Sequence, residues 1–66
     1  MKLPVIIRRE LDTTFVARCL VLPGCKAAGR TEEQARDNIK TAIKGYLASI
    51  NEFVPQRLEE AMEYQA

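Results

Sequence analysis

Apolar positions alternate along the first part of the chain and then switch to helical spacing. Leu3, Val5 and Ile7 fall on one side of an extended run from Leu3 to Arg9, with Pro4, Ile6 and Arg8 on the other. Pro4 suits the start of a strand or an outer edge, because it donates nothing to a ladder. A second run, Thr14 to Leu20, sets Phe15, Ala17 and Cys19 against Thr14, Val16, Arg18 and Leu20. Between the runs lies the polar turn Glu10-Leu11-Asp12-Thr13, with Asp12 its best turn former. So short a link makes the two strands antiparallel. Pro23 presets φ for the first central position of a turn, and Gly24 supplies the positive φ that a type II turn needs next. Lys26 to Ala28 forms a third short strand, ended by Gly29.

Thr31 is a strong N-cap, Gln34 completes a capping box, and Glu32 and Glu33 complement the positive end of the helix dipole. Ala35, Ile39, Ala42, Ile43, Tyr46, Leu47 and Ile50 then recur as one helical face. Pro55 disfavours a helical Val54, so this helix ends before it. Leu58, Ala61 and Met62 recur at spacings of three and four residues and predict a short helix from Gln56 to Tyr64. A fourth strand is the alternative there, but the run 59–63 is poor strand material. The fold class expected is α+β, a three-stranded antiparallel sheet packed on one long helix with a short C-terminal helix. Residues 1–52 form the β-β-β-α domain and residues 53–66 the tail.

One helix covers one face of such a sheet. An unpaired charge is costly to bury, so the face holding Arg18 is the outer one. It should show Ile6, Arg8, Val16, Arg18 and Leu20, with Ala27 as a further candidate. That is an apolar patch flanked by arginines, and contiguous exposed apolar area marks an interface. The competing view is a half-wet antiparallel sheet with no partner. With 66 residues, the chain buries only about 60% of its unfolded surface, so a second subunit is a natural way to add core. A homodimer is expected.

Composition removes several functions. There is no histidine, so His-based activation of a nucleophile is absent. Three scattered glycines form no phosphate-binding loop. Two cysteines without histidine fall short of a four-ligand zinc site. With Pro23-Gly24 as a two-residue hairpin tip, Cys19 faces Ala28. Cys25 then lies about 10 Å along from that partner and points to the opposite face. Both cysteines are therefore expected as free thiols. No enzyme activity, cofactor or metal is expected. The opening run is too short for a signal sequence and nothing approaches a membrane span, so the expected setting is cytoplasmic.

The net charge of +1 hides an asymmetry. Residues 1–30 carry six basic side chains against two acidic ones, and residues 31–66 carry four against seven. A basic sheet and an acidic helical half suit different partners.

The run Phe15-Val16-Ala17-Arg18-Cys19-Leu20-Val21-Leu22-Pro23-Gly24-Cys25, followed by Gly29, Thr31, Glu33, Ala35, Asn38, Ile39 and Ala42-Ile43, resembles the HicB family of antitoxins. This chain has Thr13-Thr14 where the family carries Gly or Asp-Gly, and Leu20-Val21 where it carries Pro-Asp. The resemblance implies a partial RNase H-like fold that binds and blocks a small mRNA-cleaving toxin of the HicA kind. Glu10 and Asp12 fall in the expected turn, so the strands offer no metal-binding carboxylates and the fold would serve as a binding surface. The tail is too short for a complete helix-turn-helix, which argues against direct DNA binding without an added module. Two other readings stand beside this one: a self-associating domain with no toxin partner, and a small RNA-binding protein using Arg8, Arg9, Arg18 and Lys26.

Thr31→Ala should destabilise the protein by about 1 kcal/mol by removing the capping oxygen. A denaturation midpoint unchanged within error would refute the helix start.

Overall fold

The structure, a computed structural model, describes residues 2–11 and 13–65. Asp12, expected as a turn former, lies outside the described residues. Strands β1 (Leu3–Glu10), β2 (Thr14–Cys19) and β3 (Lys26–Gly29) lead into helix α1 (Glu32–Ser49), a single helical turn α2 (Leu58–Ala61) and strand β4 (Met62–Gln65). The sheet runs in the order β3-β2-β1-β4. β1–β2 and β2–β3 are antiparallel, whereas β4 lies parallel to β1. The fold is α+β, but with four strands in a mixed sheet instead of three in an antiparallel one.

The fourth strand occupies the segment expected to be helical. Helix is confined to one turn, and Met62 is already extended, with φ −79° and ψ 131°. Met62 pairs with Leu3 and Tyr64 with Val5, so the segment alternates between core-facing and outward side chains. Its low strand propensity is outweighed because β1 otherwise presents an open edge, and backbone pairing satisfies that edge. Pro4 therefore sits in a central strand. Its carbonyl accepts the Leu20 N–H at 2.9 Å. Its missing donor points the same way, toward the end of the β1–β2 ladder, so the β4 side loses no bond.

One core holds the layers together. Val5 and Ala17 on the sheet, Ala35, Ile39, Ile43 and Leu47 on α1, and Leu58, Ala61 and Met62 from the tail are all buried. Phe15, Ala42, Tyr46 and Val54 pack around this centre. Two surface contacts bind the tail to α1: Lys40 Nζ lies 2.7 Å from Glu59 Oε2, and the Arg36 guanidinium sits 4.6 Å from the Tyr64 ring centroid. The ion pair raises the Lys40 pKa and lowers that of Glu59.

The cap is built as expected from Thr31, whose Oγ1 accepts the Gln34 N–H at 3.0 Å. Gln34 Oε1 accepts from Arg30 N–H at 2.9 Å, one residue before the N-cap, so the reciprocal bond of a capping box is displaced by one position. At the other end Asn51 has φ 58°. Asn51 N–H donates to Ala48 O and Glu52 N–H to Leu47 O, a Schellman closure at 3.2 and 2.8 Å. Ile50 is the C-cap and half exposed, so it leaves the apolar face assigned to it.

Gly29 lies against the start of α1. A Cβ there would sit 2.6 Å from the Ala35 nitrogen and 2.7 Å from Gln34 Cβ, so the close approach of β3 to the helix needs glycine. Asn38 Nδ2 donates to Ala28 O at 2.7 Å and ties that edge strand to α1.

The loop between β2 and β3 corrects the expected register. Leu22-Pro23-Gly24-Cys25 does form a turn, with Gly24 at φ 80° and Cys25 N–H donating to Leu22 O at 3.0 Å. A second turn precedes it, closed by Leu22 N–H to Cys19 O at 3.3 Å. The loop is therefore longer than the two-residue tip assumed. Val16 pairs with Ala28 and Ala17 with Ala27. Ala27, expected on the outer face, consequently packs against the core, and Ala28 takes the outer position instead.

Leu58→Ala should destabilise the protein by roughly 2–5 kcal/mol, because Leu58 is fully buried and its truncation leaves a cavity. A loss below about 0.5 kcal/mol in chemical denaturation would show that the tail is not part of the core.

Candidate functional site

Alternation along three strands builds the open face. Ile6, Arg8 and Glu10 project from β1, Val16 and Arg18 from β2, and Leu20 follows at the end of the hairpin. The structure brings Ile6, Arg8, Val16, Arg18 and Leu20 together around one shallow groove of about 310 Å³, with Glu10 as the sixth lining residue. Glu10 is the last residue of β1, not part of the turn, so the sheet does carry one carboxylate at its margin. The groove continues over Lys26 and Ala28 on β3.

Cross-strand pairing sets a checkerboard. Arg8 is opposite Val16, which is opposite Ala28; Ile6 is opposite Arg18, which is opposite Lys26. Arg18 and Lys26 are thus like charges directly across a strand pair, an arrangement that destabilises a sheet. Among the described residues none of Arg8, Arg18 and Lys26 is in an ion pair. Ile6 and Val16 are half-buried and Leu20 is 57% exposed, so apolar surface lies between the cations. The face therefore offers apolar surface between exposed cations, with the Glu10 carboxylate at one margin.

The other sequence-predicted positions are architectural. Pro23 and Gly24 form the turn beside Leu20, Gly29 admits the helix, and Thr31 and Gln34 organise its start. Sequence reasoning missed Glu10, whose alternation with Ile6 and Arg8 was available as a signal, and Ala28, which depended on the loop length. The described residues hold no group of three or more His, Cys, Asp or Glu able to bind a metal. No helix among them is long and apolar enough to cross a membrane.

The chain is 38% identical over 69 aligned positions to UPF0150 protein Ta0767 of Thermoplasma acidophilum, with both chains covered in full. It belongs to the UPF0150 family. It is also 41% identical over 46 positions to UPF0150 protein ssr1765 of Synechocystis sp., an alignment covering 70% of this chain and 58% of that relative. No family model matches the chain. No solved structure matches it.

Arg8→Ala and Arg18→Ala should each leave stability within about 0.5 kcal/mol of the parent, as expected for exposed side chains with no ion pair. A loss above about 1 kcal/mol in denaturant titration would assign these arginines to folding instead of to the site.

Proposed function

We propose that this chain is a HicB-like antitoxin, a cytoplasmic protein that neutralises a small mRNA-cleaving toxin of the HicA kind by protein–protein contact. The observation that carries this reading is the uncovered sheet face, where Arg8, Arg18 and Lys26 surround apolar Ile6, Val16 and Leu20. UPF0150 membership and the motif order from Phe15 to Ile43 support it. The role is binding and not catalysis. The groove takes an apolar segment of the toxin flanked by carboxylates, which relieves the repulsion between Arg18 and Lys26.

Self-association by this same face is disfavoured, because it would bring two patches rich in unpaired cations together. RNA binding is disfavoured because no aromatic among the described residues lines the groove: Phe15 packs against the core, exposed Phe53 lies in the segment between α1 and α2, and exposed Tyr64 on β4 sits against Arg36.

Co-expression with the product of the adjacent small reading frame, followed by tagged pull-down and sedimentation equilibrium, tests the reading. The parent chain should retain the partner and suppress its RNA cleavage. Val16→Asp should reduce retention at least about tenfold by putting a charge into an apolar contact. Retention unchanged by Val16→Asp, or no complex at all, would overturn the proposal.

A further inference from the structure

Cys19 ends β2, and Cys25 lies one step beyond the last β2–β3 ladder pair, Arg18 with Lys26. The Cys19 N–H donates to the Cys25 carbonyl at 3.1 Å, which makes the two residues direct cross-strand partners. The Cys25 N–H turns back to the Leu22 carbonyl, so one bond joins the pair; cross-strand neighbours in antiparallel strands have Cα atoms about 4.5–5.5 Å apart, inside the range of roughly 4.4–6.8 Å that a disulfide spans. Both side chains belong to the core, with exposures of 3% and 6%, and both are free thiols. The expected free thiols are thus present, but not for the expected reason: the cysteines face each other instead of lying apart. Both line a shallow open pocket of about 200 Å³ together with Leu22, Pro23 and Gly24 of the loop and with Arg18 and Lys26.

We infer that Cys19 and Cys25 form a dithiol modification site that a hydroperoxide converts into an intramolecular disulfide. One thiolate attacks the O–O bond, which breaks to leave a sulfenic acid, and the departing oxygen leaves as water or an alcohol after taking up a proton. The second thiol attacks the sulfenic sulfur; the S–S bond forms, the S–O bond breaks, and water leaves with the remaining proton. Two thiols lose two electrons in total and the peroxide bond gains them.

The surroundings favour this product over a thiolate-bound metal ion. Among the described residues no third His, Cys, Asp or Glu joins the two thiols to complete a metal's ligand shell, whereas a disulfide needs only the pair. Burial pushes both thiols up, Val21 and Leu22 amides partly offset this at Cys19, and the nearby Cys19 adds to the rise at Cys25. Oxidation is therefore slow at neutral pH and accelerates as the solution becomes alkaline. The bridge pins the loop that carries Leu20, so it sets the rigidity of one end of the groove. The inference stands independently of the toxin reading.

The test is incubation of the full-length chain with hydrogen peroxide at neutral and alkaline pH, followed by intact-mass and non-reducing peptide mapping. The expected product is a monomer lighter by about 2 Da with Cys19 and Cys25 in one linked peptide pair, formed faster at alkaline pH and reversed by dithiothreitol. Cys19→Ala and Cys25→Ala, which keep a small apolar side chain, should each abolish the linked pair and leave the other cysteine to oxidise further. Sulfinic acid at one cysteine of the parent beside a free thiol at the other, linkage only between chains, or no reaction at alkaline pH with the far-ultraviolet spectrum intact would overturn the inference.

Discussion

The contact on which the molecule depends is the packing of one helix stripe against one face of the sheet. Ala35, Ile39, Ile43 and Leu47 meet Val5 and Ala17, and all of them are buried. Burial of such side chains contributes roughly 1.5–3 kcal/mol each for the larger ones, so this seam is a major source of favourable free energy for so short a chain. It has a geometric consequence. A single helix covers a single face, and the opposite face stays in solvent with whatever the alternation places there. Gly29 lets β3 approach the helix start closely enough for the seam to close.

The seam alone leaves β1 with an unpaired edge. The tail resolves this by contributing backbone pairing through β4 and apolar volume through Leu58 and Met62. The two contributions reinforce each other: burial of Leu58 and Met62 fixes where the chain turns, and that position aligns Met62–Gln65 beside β1. The exposed contacts of Lys40 with Glu59 and of Arg36 with Tyr64 refine the docking, and exposure limits what each adds.

The outer face combines two costs that a purely structural sheet would avoid. Apolar side chains stay in contact with water, and Arg18 stands directly opposite Lys26. The proposed partner, with an apolar centre and acidic margins, would remove both at once. At one end of this face, Leu20, Leu22, Pro23 and Gly24 of the loop share a pocket with the two cysteines. The same loop length that sets Cys19 against Cys25 also places Ala28 on the outer surface and Ala27 inside.

Much was legible in the residue pattern. Period-two alternation identified β1, β2 and the five groove residues Ile6, Arg8, Val16, Arg18 and Leu20, because face assignment within a strand needs only local sequence. Helical spacing and Thr31 located α1 for the same reason, and the Pro23-Gly24 turn follows from local φ preferences. What tertiary structure alone decided lies in the pairings between segments. Whether 62–65 continues a helix or becomes a strand depends on the empty edge of β1, some sixty residues away in the sequence. Whether Cys19 meets Ala28 or Cys25 depends on a second turn that adds residues to the loop, and a shift of register changes every partner across the ladder. Local preference fixes which way a side chain points; the competition among distant backbone groups for partners fixes what it meets.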